Sequence, residues 1–212
     1  GALISIDALG LVWFRMSIAS LLILAWVGYK KIPLTFSKKT MLVFLLAGAV
    51  IAMHWLAFFG AIKTANVSIT LAIMSTGSFF TALLEPIFFK RKVIWYEVVF
   101  GLIVVLGLYV IFQVEGDYSW GILLALISSF LGALFSVING KLAVHYNASA
   151  ISFYELFFGV CCISLYLFFS GSFDASFFTL STSDWGYLFI LASGCTAYAF
   201  IASIYILKFL SP

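Results

Sequence analysis

Arg15, His54, Trp55, Ser75, Thr76 and Ser78 could do chemistry in this chain, because each lies deep inside an apolar run. Polar groups are costly at that depth, so each one invites a functional reading beside a structural one. Arg15 sits about two turns into the first run. It either snorkels to the interface or lines a wet cavity and holds a carboxylate. His54 can relay a proton, bond a solute or bond a neighbouring helix, and Trp55 packs or stacks on a flat solute. Ser75, Thr76 and Ser78 surround Gly77 and suit hydrogen bonds to an uncharged or zwitterionic solute, or helix packing. Together these six residues are the expected substrate-binding set.

Three acid–base candidates form a second set: His54, Glu85 and Glu155. Glu85 precedes Pro86, which cannot donate to the helix ladder and is expected to kink it. Glu85 either pairs with a Lys of the adjacent basic loop or binds a proton and gates the inner mouth, and Glu155, at similar depth from the same side, reads the same way. Ser128, Gly132, Ser136 and Gly140 recur every four residues and make one small-residue face for close helix contact. Gly48 with Ala52, and Gly101 with Gly107, read the same way. The triplets Asn66-Val67-Ser68 and Asn147-Ala148-Ser149 match a glycosylation pattern but hug span ends, and we read them as chance.

Catalytic alternatives lack their residues. Paired Asp inside a span, a Ser–His site and an H-E-x-x-H zinc motif are all missing. Only His54 could ligate haem, and Phe135 occupies the place where a phosphate-binding loop ending in Gly140-Lys141 needs glycine. Cys161, Cys162 and Cys195 lie in apolar runs without zinc or redox spacing and read as small packing residues. We therefore expect no enzyme, no metal and no cofactor.

The elements that must position these groups follow from composition. The 212 residues are 65% hydrophobic, 19% aromatic and only 9% charged, with a mean hydropathy of +1.21. A soluble domain carries roughly 25% Asp, Glu, Lys and Arg, so a water-facing surface is excluded. A span needs about 20 residues. Seven runs qualify: 8–29, 41–62, 67–88, 95–113, 120–138, 149–170 and 185–207. None alternates as a β-barrel strand would. The expected fold is all-α, a polytopic transmembrane helical bundle.

The 11 Lys and Arg and 8 Asp and Glu are bunched between the runs, and the net charge of +3 reports orientation rather than nucleic-acid binding. Lys30, Lys31, Lys38, Lys39, Lys90, Arg91, Lys92, Lys141 and Lys208 fall on one side. The other side has Lys63 with Asp7, Glu115, Asp117, Asp174 and Asp184. Positive-inside bias places the Lys-rich loops in the cytoplasm. Trp95, Tyr96, Trp120 and Trp185 stand at run ends, where interfacial belts are expected.

One stretch carries a resemblance. It reads WLAFFGAIKTANVSITLAIMSTGSFFTALLEPIFFKRKVIWYEVVFGLIVVLGLYVIF. A helix ends at Ala-Ile-Lys-Thr, another follows at once through Asn66-Val67-Ser68, a basic turn comes next, and a Gly-containing helix ends in Tyr-Val-Ile-Phe. This resembles one repeat of the EamA family of the drug/metabolite transporter superfamily, and a second repeat starts near Ser119-Trp120-Gly121. The resemblance implies two inverted five-helix repeats, here 1–117 and 118–212, with one helix before Gly1 and two after Pro212. The Lys63 and Lys208 junctions match and fall on opposite sides, as inversion requires. The sequence departs from the family's frequent proline after a Thr in the fourth helix, with Ser75-Thr76-Gly77-Ser78 there and proline only at Pro86.

The resemblance further implies a secondary carrier for amino-acid-like or related small organic solutes, often exported. The partners expected are that solute and the lipid bilayer, and the expected location is a bacterial cytoplasmic membrane.

Overall fold

The computed structural model describes residues 6–92, 94–114, 118–174 and 176–209. Among these every regular element is helical. The helices are α1 (Ala8–Tyr29), α2 (Lys38–Thr64), α3 (Val67–Met74), α4 (Gly77–Phe89) and α5 (Trp95–Val114). They continue as α6 (Ser119–Ala143), α7 (Ala148–Phe169), α8 (Thr182–Ala192) and α9 (Ala199–Leu207).

Among the described residues six segments are long and apolar enough to cross a membrane, where seven are expected. They are α1, α2, Val67–Phe89, α6, α7 and Thr182–Leu207. The seventh expected run falls on α5, where Trp95–Val110 forms a shorter apolar helix. Two spans are not continuous α-helix. Val67–Phe89 breaks between α3 and α4, and Thr182–Leu207 passes through a π-helical turn at Ser193–Tyr198. Glu115 and Asp117, used above for orientation, and the end of the Lys208 junction lie outside the described residues.

Polar caps set the helix starts. Asp7 accepts from the Gly10 amide at 2.8 Å, Asn66 from Ile69 at 2.9 Å and Asn147 from Ser149 at 2.9 Å. Each satisfies one of the amides that a first turn leaves unpaired. Both glycosylation-like triplets thus begin with a capping Asn. The α2 helix starts three residues before the apolar run because the Ser37 hydroxyl accepts from the Thr40 amide at 3.2 Å. Two stops use lysine in the left-handed region, Lys31 at φ 52° and Lys90 at φ 54°.

The residues sort into two compact units, one of 1–52 with 140–211 and one of 53–139. In the first, α1 packs on α7, α8 and the π turn. Val12, Met16, Ala19, Ile23 and Val27 recur along α1 at helical spacing and are buried. Gly48 lets backbones meet: a Cβ there would lie 2.5 Å from the Glu155 carbonyl oxygen. In the second unit Ala61, Ile69, Ile73, Ile122 and Ala125 form a buried cluster. Gly132 meets the His54 ring, where a Cβ would lie 3.1 Å away, so the small-residue face of α6 works as packing. Among the described residues nothing lies within 4 Å of a Cβ built at Gly107, so Gly107 makes no close helix contact there.

The outer surface is apolar. Phe100, Leu102, Ile103, Leu106, Tyr109 and Val110 of α5 are all exposed, as lipid-facing side chains are. Trp95, Trp120 and Trp185 at helix starts are exposed too.

Candidate functional site

Within the 53–139 unit, the span Val67–Phe89 is interrupted at Ser75 and Thr76. The Thr76 amide turns back to the Ile73 carbonyl at 3.0 Å, an i→i−3 bond, so the Ala72 carbonyl loses its usual donor. The Ser75 hydroxyl replaces that donor at 2.6 Å. Ser78 donates to the Ser75 carbonyl at 3.2 Å, and Ser129 of α6 donates to Met74 at 3.3 Å. Thr76, fully buried, donates to Ser129 at 2.9 Å. Hydroxyls thus restore the bonds that the break removes, as lipid demands of any spanning backbone.

His54 lies on the same α6 surface, one residue away. Its Nδ1 is 2.8 Å from the Ser128 carbonyl oxygen, and the Ser128 hydroxyl donates to the His54 carbonyl at 3.0 Å. A carbonyl oxygen only accepts, so Nδ1 is the donor in this pair. The adjacent pair Ser128 and Ser129 therefore ties α2 and the α3–α4 break to α6. Sequence reading saw Ser128 only as a small residue. Trp55 is buried at 7% exposure.

Below the break a cleft of about 490 Å³ opens between α4 and α5. Ser78, Thr81, Ala82 and Glu85 line it from α4, at spacings of three and four that put them on one helix face. Glu97, Phe100, Gly101 and Val104 line it from α5 with the same periodicity. Phe79 fits because Gly101 has no side chain, since a Cβ there would run into its ring. Pro86 has no N–H for the carbonyl of Ala82, so α4 lacks one of its ladder hydrogen bonds beside the cleft.

One end of the cleft is charged. Arg91 Nη2 donates to Glu97 at 3.2 and 3.3 Å and pairs with Oε2 of Glu85. Desolvation works against the guanidinium charge, but bonds to Glu97 and Glu85 outweigh it and hold its pKa above the ordinary arginine value. Glu85 is buried at 5% exposure, and its Oε1 has no hydrogen-bond partner among the described residues. Arg91 Nε is likewise buried without one. A charged oxygen left so is costly, by more than the roughly 1–3 kcal/mol of a neutral group. Sequence reading paired Glu85 with a loop lysine as one alternative, and the partner is Arg91. Arg91 entered the sequence analysis only through the charge bias of its loop. The signal that links them is the spacing 85, 91 and 97 across one tight turn.

Two expected residues lie in the other unit. Arg15 Nε donates to Thr196 Oγ1 at 2.5 Å and Nη2 to the Cys195 carbonyl at 3.3 Å. The fully buried Thr196 donates in turn to the Leu191 carbonyl at 3.0 Å, the i−5 position of a π turn. Glu155 on α7 is fully buried. Of the expected residues, Ser78 and Glu85 line the α4–α5 cleft. His54 and Thr76 meet on α6, while Arg15 and Glu155 belong to the 1–52 and 140–211 unit. Among the described residues no group of three His, Cys, Asp or Glu could hold a metal ion.

Comparison with known proteins agrees with this architecture. A solved crystal structure superposes with a TM-score of 0.69 at 15% identity, over 96% of this chain and 71% of that one. It shows the fold alone. No curated protein matches. Residues 2–113 match the model of the EamA-like transporter family. With its apolar spans, its lipid-type surface and this match over more than half its length, the chain is an integral membrane protein that belongs to the EamA-like transporter family.

Proposed function

We propose that the chain is a secondary carrier that moves small organic metabolites by alternating access, in the direction of export. One observation carries the reading. A polar face runs down α4 from the break at Ser75 and Thr76 to Glu85, and it lines a cleft of ligand size inside an otherwise apolar span. Pockets for small ligands measure about 300–1,000 Å³. From Ser78 to Glu85 the face covers about 10 Å at the helical rise. Interrupted spans are where transporters place solute contacts.

In this reading 1–117 and 118–212 are the inverted repeats that rock. Arg15, His54, Trp55, Ser75, Thr76 and Ser78 serve the solute, and His54, Glu85 and Glu155 serve proton movement or gating. The Lys-rich loops face the cytoplasm of a bacterial inner membrane, supported by the charge bias of the loops.

The test is a metabolite mixture offered to vesicles holding the protein, with solutes assayed on both sides. Movement of an unaltered solute, lowered at least tenfold by Ser78→Leu, supports the carrier. A solute chemically converted, or no movement above empty vesicles, overturns it.

A further inference from the structure

The α4–α5 cleft has a charge deficit that names its ligand. Two carboxylates, Glu85 and Glu97, share the one guanidinium of Arg91. Lys90 and Lys92 are exposed, where solvent screens them. Glu85 is more than nine-tenths buried, lines the cleft, and keeps Oε1 without a partner. Buried polar atoms in native folds are nearly all satisfied, so a buried carboxylate oxygen left without a partner among the described residues, on a side chain that lines the cleft, calls for a donor from outside the chain. Phe79, Phe100 and Val104 give the cleft an apolar wall beside the hydroxyls of Ser78 and Thr81. Aromatic faces also attract cations.

We propose that this cleft takes a small organic cation, its ammonium on Oε1 of Glu85 and its apolar body among Phe79, Phe100 and Val104. The assignment rests on the carrier reading and narrows its substrate to amines of net positive charge. A zwitterion fits less well, because the charge of Arg91 is already matched twice. A neutral alcohol leaves the charge deficit in place.

The probe is tritiated 2-phenylethylamine, in equilibrium binding to the full-length protein in lipid nanodiscs. Saturable binding is expected, displaced at least tenfold more weakly by L-phenylalanine and not by phenylacetate or 2-phenylethanol. Glu85→Gln should weaken binding at least tenfold, with Glu85→Asp restoring part of it. Should Glu85→Gln fail to fold, Thr81→Lys decides. It sets a cation one turn from Glu85 with the Glu85–Arg91 pair left in place, and should abolish binding. Equal displacement by the zwitterion, unchanged binding in a folded Glu85→Gln or Thr81→Lys protein, or no saturable binding overturns the proposal. Vesicle flux separates the two claims. Amine bound through Glu85 while no solute crosses the membrane defeats the carrier and leaves this site standing. Flux of some metabolite without amine binding does the reverse.

Discussion

Two spans are interrupted, one in each compact unit, and they are repaired by different means. The α3–α4 break is closed by neutral hydroxyls, from Ser75, Ser78, Thr76 and Ser129. The π turn between α8 and α9 is held by a cation, Arg15, which donates to Thr196 and to the Cys195 carbonyl. Neutral hydrogen bonds contribute about 1 kcal/mol each and those to charged groups about 1.5–3 kcal/mol. A charge brought to membrane depth also carries its own desolvation cost. The first break can exchange partners cheaply, and Gly77 at its edge adds backbone freedom. The second is an anchor, because releasing the guanidinium strands a charge.

Substitutions at the two breaks should rank accordingly, read by denaturant unfolding in micelles. Thr196→Val should cost most, about 2–3 kcal/mol, because it leaves the Arg15 charge without its nearest acceptor. Arg15→Met should cost less, about 1 kcal/mol, since the charge leaves with its bonds. If Arg15→Met is the more harmful of the two, the anchor is not electrostatic. Thr76→Val, which keeps shape and removes the donor to Ser129, should cost about 1 kcal/mol. Ser78→Ala should move stability by under about 0.5 kcal/mol, because Ser78 is exposed. A loss above 1 kcal/mol there would make the first break as rigid as the second.

The spans were legible because apolar length is a one-dimensional property. The predicted 8–29 coincides with α1, and 67–88 ends one residue short of α4. The α2 start at Lys38 was missed because a helix can continue into the interface with charged residues in its first turn, where hydropathy stops counting. The π turn left no trace, since Ser193–Tyr198 differs from an α-helix only in hydrogen-bond register. The polar set was legible as residue types but not as neighbours. Ser128 reads as small and Ser129 carries no signal of its own, yet their hydroxyls join three helical segments. Arg91 was hidden inside a basic run that served for orientation. Asn66 and Asn147 looked accidental because a cap depends on backbone geometry, not on the triplet.

The lysines at Lys31 and Lys90 do two jobs at once. Each ends a helix in a conformation that costs an L-residue roughly 1–2 kcal/mol and glycine almost nothing. Glycine at either position should therefore tighten the local turn while deleting one of the charges that choose which leaflet the loop faces. Helix termination and loop charge are thus coupled at a single codon, so a change made for one alters the other in a protein with so few ionic groups.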